Sequence, residues 1–132
     1  MDLLQETISL QDHIQRLKSR YLKGDPPGEF KDKAFFNFVK EDTAHIYELL
    51  SIWELHTMAF LKNEKSAPVH PHQIISTTEN IELIIMHSYY MDVKDKRYME
   101  LNISINYVLG ILADFLCDKQ KVGESDEGTI NS

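Results

Sequence analysis

The apolar positions of this chain recur with helical period along most of its length. From 2 to 23, Leu3, Thr7, Leu10, Ile14, Leu17 and Tyr21 return at spacings of four and three, and Leu4 and Ile8 widen that seam. Such a stripe belongs to a helix packed on one side. Asp2 and Gln5, three residues apart, suit a capping box, in which each side chain satisfies a free backbone N–H. Gly24 tolerates positive φ, and Asp25-Pro26-Pro27-Gly28 forces a turn.

The next segment holds three Phe in four positions, Phe35, Phe36 and Phe38, which cannot all face one way on a helix. It predicts a short aromatic helix over 32–39, capped by Asp32 and wedged between larger elements. A second long helix follows over 41–63. Ile46, Leu49, Trp53, His56 and Phe60 form its stripe, with Leu50, Ile52 and Thr57 alongside. No Gly or Pro separates the two pieces. One helix from 32 to 63 would run roughly 48 Å against roughly 33 Å for the first, and this mismatch predicts a break near Lys40 to Asp42.

Residues 64–70 read as a loop, and Pro71 suits the first position of a helix that runs to about Val93. Within it, Ile81 to Met91 is the most apolar run of the sequence. Ile74, Thr78, Ile81, Ile85, Ser88 and Tyr89 make one face. Leu83, Met86 and Tyr90 make a second stripe that needs its own cover, either from the aromatic piece or from another protein. Asp95 is placed to cap a last helix over 96–118, with Tyr98, Leu101, Ile105, Val108, Leu112 and Phe115 as its seam and Gly110 outside it. Residues 119–132 offer only Val122 and Ile130 to a core, and are expected to be a mobile tail. The fold class that results is all-α. It is a four-helix up-and-down bundle over 1–118, with a short extra aromatic helix between helices one and two.

Composition narrows the possible roles. A chain of 132 residues is one domain, and five Gly and four Pro favour long helices over a many-turned β fold. The net charge is −7. The basic residues Lys94, Lys96 and Arg97 are interleaved with Asp92 and Asp95, which argues against nucleic acid and membrane as partners. The apolar runs read as too short and interrupted to span a bilayer, and the N-terminus lacks the pattern of a signal peptide. The single Cys, Cys117, can form no internal disulfide, and the default compartment is the cytoplasm.

Candidate chemistry is sparse. His70 and His72 flank Pro71 but provide only two ligands, and Asp42-x-x-His45 is a single copy of a spacing that di-metal bundles use twice with Glu. No metal site and no cofactor is therefore expected. No Ser-His-Asp or Cys-His arrangement and no Gly-rich phosphate loop is present. Lys96, Arg97 and Tyr98 form a polar cluster with Ser88 and Tyr89 around the turn between helices three and four. His56 is the one His on an apolar stripe, beside Trp53 and Phe60.

The order Phe35-Phe36, Pro68, His70, Asn80, Leu83-Ile84-Ile85-Met86, Ser88-Tyr89 and Lys96-Arg97-Tyr98 resembles the YppE-like family of small uncharacterised bacterial proteins. The resemblance spans roughly residues 34–116. It implies a four-helix bundle and a cytoplasmic bacterial protein, and it implies no activity. Tyr90, Met91 and Asp92 stand where that family pattern would have Val-His-His, so a metal site built on such His is not expected in this chain.

Two functional readings follow. The first is a non-enzymatic bundle acting through protein contacts, with another protein or as a homo-oligomer, through Leu83, Met86 and Tyr90. The alternative is a small-ligand or metal pocket in the bundle core near Trp53, His56, Ser88 and Tyr89.

Overall fold

The computed structural model describes residues 1–24 and 32–131, with side chains described through Lys121. Four helices follow one another: α1 (Leu3–Lys23), α2 (Lys33–Asn63), α3 (Pro71–Tyr90) and α4 (Asp95–Asn131). They form an up-and-down bundle. Helices α1 and α3 pack across its short diagonal and hold the backbones of α2 and α4 apart.

The helix ends follow from local chemistry. Asp2 accepts from the Gln5 N–H at 2.8 Å while the Gln5 side chain accepts from the Asp2 N–H at 3.3 Å, closing the capping box. Gly24 ends α1 at φ 68°, in the left-handed region where a glycine has no Cβ to clash. The proposed turn at Asp25–Gly28 lies outside the described residues. Asp32 caps α2 by accepting from the Phe35 N–H at 3.1 Å, and Pro71 opens α3.

The aromatic piece is not a separate helix. It forms the first two turns of α2, which continues without a break to Asn63. Val39 and Thr43 are buried and extend the stripe of Ile46, Leu50, Trp53, Thr57 and Leu61. The excess length of α2 does not force a kink, because its N-terminal end lies over the C-terminal end of α3. There Phe35 meets Tyr90 edge-on at 5.2 Å, and Phe38 meets Tyr89 at 6.2 Å. Helix α3 ends at Tyr90, short of Val93, because Met91 turns left-handed at φ 52°.

The core seams of α1 and α4 follow their periodicity, with Leu109 and Leu116 added on α4, but Ile8, expected to widen the α1 seam, is exposed and Phe115 is only half-buried. On α3, Ile84 is fully buried beside the predicted face. Two polar pairs and one ring stack stitch the core. The Trp53 indole N–H donates to the Thr7 hydroxyl at 3.0 Å, joining α2 to α1. Ser88 and Tyr98 share a hydroxyl bond of 2.7 Å between α3 and α4, and Tyr21 stacks on Tyr98 at 3.8 Å.

Helix α4 continues past residue 118. Lys119 pairs with Glu64, and Gln120 reaches Asp2 at 3.5 Å. The side chains on which the expected mobility of the tail turns, from 122 onward, lie outside the described residues. Contrary to the sequence expectation, the stretch Asp95–Lys121 is long and apolar enough to cross a membrane by length and composition alone. Scattered Asn and Ser interrupt its apolar runs without lowering the average enough. In the bundle, part of that stretch supplies the α4 core seam, while Ile103 and Tyr107 stay exposed.

Candidate functional site

The four residues nominated for a core pocket do not converge. Trp53 is fully buried and spends its N–H on Thr7. Ser88 bonds Tyr98. His56 stands at the bundle surface, because the buried stripe of α2 runs through Leu50, Trp53 and Thr57, one position round from the phase that would bury it. Its Nδ1 lies 2.9 Å from both carboxylate oxygens of Glu6, an almost fully buried acid in the first turn of α1. Tyr89 faces a different region, with its hydroxyl on Asp42.

The second stripe of α3 divides as well. Tyr90 is 4% exposed, so it does not belong to an open patch. Met86 is half-buried against the core. Leu83 stays 42% exposed and is the one member left facing outward. Of the polar cluster, Lys96 and Arg97 are exposed while Tyr98 lies in the core.

Two depressions replace the nominated pocket. The first is a groove of about 540 Å³ between α2 and α3. Leu50 and Thr78 lie at its base, with Tyr47 and Met58 half-buried beside them. Leu55, 70% exposed, stands with Glu54 and Glu82 at the edge. Burial first, and then the charge of Glu82, push the Tyr47 phenol above its ordinary range. Helix α3 contains no Lys or Arg, so the acidic edge has no cation on that helix to offset it.

The second depression, about 180 Å³, lies where α1, α2 and the end of α3 meet. Arg16 and Arg20 enter from α1, Asp42 and His45 from α2, and Tyr89 from α3. The Arg20 guanidinium sits 4.2 Å over the Tyr89 ring. Burial, and next the bond to Asp42, raise the Tyr89 phenol well above its usual value. His13 packs edge-on to His45 at 5.0 Å, and burial lowers its ionisation below the ordinary imidazole range, with Arg16 adding to the effect.

Sequence reasoning passed over this basic region. The run Arg16, Lys18, Arg20 and Lys23 contains no acidic residue, whereas Lys94, Lys96 and Arg97 are interleaved with Asp92 and Asp95. That absence of acids was the available signal. Tyr89 and Asp42 join it only through the tertiary fold.

Among the described residues, no three His, Cys, Asp or Glu side chains gather to hold a metal. The raised phenols of Tyr21, Tyr89 and Tyr98 keep their protons near neutral pH, so none supplies a ready phenolate.

Residues 7–116 match a family described as a bacterial domain of unknown function, DUF1798. The uncharacterised protein YppE of Bacillus subtilis is 24% identical over 112 residues, which are 85% of this chain and 89% of that one. The crystal structure of that YppE superposes with a TM-score of 0.78 at 23% identity, covering 90% of this chain and 95% of the other. A Listeria innocua protein of unknown function superposes with a TM-score of 0.76 at 19% identity, covering 92% and 95%. With the family match extending over most of its length, this chain belongs to the DUF1798 family of YppE-like bacterial proteins.

Proposed function

We propose that this chain is a non-enzymatic cytoplasmic protein that works by docking another protein in the groove between α2 and α3. The observation that carries the reading is Leu55, 70% exposed at the edge of a groove that also holds Leu50 and Met58 and is bordered by Ser51, Glu54 and Glu82. An occupant complementary to that surface is an amphipathic helical segment with apolar anchors and flanking Lys or Arg. Leu83, though 42% exposed, does not line this groove and lies roughly a third of a turn round α3 from Glu82.

Charge favours a different protein over a second copy. A two-fold contact through this groove would bring Glu54 and Glu82 of one copy toward the same residues of the other, and each copy carries a net charge of −7. A single free Cys fits a reducing compartment. Ile103 and Tyr107 also project from α4, one turn apart, but two exposed side chains make a small apolar patch of the kind ordinary on a helical surface.

Co-purification from the producing bacterium tests the reading. The wild-type chain is expected to bring down one protein, and Leu55→Asp and the charge reversal E54K/E82K are each expected to lose it. The isolated chain is expected to run at its monomer mass of 15.4 kDa. Twice that mass, abolished by Leu55→Asp, would replace the reading with self-association.

A further inference from the structure

The cleft on the opposite side of α2 has a different chemistry. We infer that Arg16 and Arg20 form a binding site for a phosphate group, carried by a small phosphorylated molecule or present as free orthophosphate.

The two arginines lie one helical turn apart on α1 and line two adjoining depressions. The inner one, about 180 Å³, is closed on its far sides by His45, Asp42 and Tyr89. It has room for a tetrahedral oxyanion with a few waters around it. The outer one, about 330 Å³, is lined by Gln15, Ser19 and Lys23 together with the same two arginines. It offers polar groups to whatever the phosphate is attached to.

Arg20 is held ready for an anion. Its guanidinium carbon lies within reach of two rings, 4.2 Å from the Tyr89 centroid and 5.6 Å from that of Phe38. Ring contacts leave the N–H edges of a guanidinium available, and those edges match phosphate oxygens in pairs. Asp42 is the carboxylate within the cleft, and Tyr89 engages it by donating its hydroxyl. Among the described residues, neither Arg16 nor Arg20 has a carboxylate within ion-pair distance. Arg16 instead donates to His13 Nδ1, which orients it along α1. The lining cations Arg16, Arg20 and Lys23 outnumber Asp42, so this corner is positive on a protein of net charge −7.

Amide-resolved NMR titration of the full chain at low ionic strength tests the site, with orthophosphate and glycerol phosphate as the two probes. The expected result is saturable shifts confined to 13–23, 42–46 and Tyr89. Arg16→Gln and Arg20→Gln should each weaken binding at least tenfold, and Lys62→Gln should leave it unchanged. Arg16→Gln leaves the Arg20–Tyr89 contact in place, so its effect reports the site and not lost packing. Tighter binding of glycerol phosphate supports a phosphorylated small molecule using the outer depression, and equal binding supports orthophosphate alone. The absence of saturable shifts with either probe, or shifts that survive in R16Q/R20Q, would overturn the inference.

Discussion

The guanidinium of Arg20 lies 4.2 Å above the ring of Tyr89, and the hydroxyl of that same Tyr89 donates to Asp42. One aromatic side chain at the end of α3 therefore fixes a cation from α1 and an anion from α2. Tyr89→Phe keeps the ring and removes only the bond to Asp42. It should lower stability by about 1–2 kcal/mol, whereas Tyr89→Ala, which also removes a buried ring, should cost about 3 kcal/mol or more. Urea denaturation of the two variants measures the difference. Equal losses would mean that the ring contributes little beyond its hydroxyl.

The tyrosines make alkaline pH the more informative axis of stability. Burial, then the hydrogen bond to Asp95, pushes Tyr21 from 10.0 up to about 12, and Tyr89 is raised in the same way beside Asp42. Between the unfolded and folded values the native chain holds protons that the unfolded chain has lost. The stabilisation is therefore complete below about pH 10 and declines as pH rises toward the folded values. The urea midpoint should fall between about pH 9 and about pH 11, and Y21F/Y89F should flatten that fall. An unchanged slope in the double variant would contradict the assignment.

Glu6 is 3% exposed and has His56 as its partner, with Nδ1 at 2.9 Å from each oxygen. His56→Ala leaves a buried carboxylate without its donor. Because half of the His56 side chain is in solvent, the expected loss is about 1–2 kcal/mol, below that of a fully buried pair. Glu6→Gln combined with His56→Ala should recover part of it. A double variant as unstable as the two single losses summed would show that the two residues act independently.

Asn102 presents the opposite case. Its amide nitrogen donates to the Tyr98 carbonyl at 3.0 Å, while its Oδ1 is buried without a partner. Asn102→Leu removes that unmet acceptor at similar volume and should raise stability by about 1 kcal/mol. A thermal or urea midpoint below wild type would show that the amide does more in the core than these contacts indicate.

The parts legible in the sequence were those set by local chemistry. The Asp2–Gln5 box, Gly24, Asp32 and Pro71 each act within a few residues, and the seams of α1 and α4 have only one plausible phase. What was missed depends on distant partners. Continuity of α2 requires Phe35 to find Tyr90. The stripe of α2 admits two phases, and packing selects the one that leaves His56 outside. Met91 ends α3 in a left-handed conformation that a Met does not advertise. The basic cleft needs Tyr89 and Asp42 to arrive from other helices.

Docking in the groove between α2 and α3 is tested most directly by a photo-reactive amino acid placed at Leu55, with Ile103 as control, in the living producer. The two positions are equally exposed, at 70%, on different helices. One reproducible adduct with a different protein is expected from position 55, absent from position 103 and lost when Glu54 and Glu82 are reversed to Lys. The same adducts from both positions, or adducts only between copies of this chain, would contradict docking there.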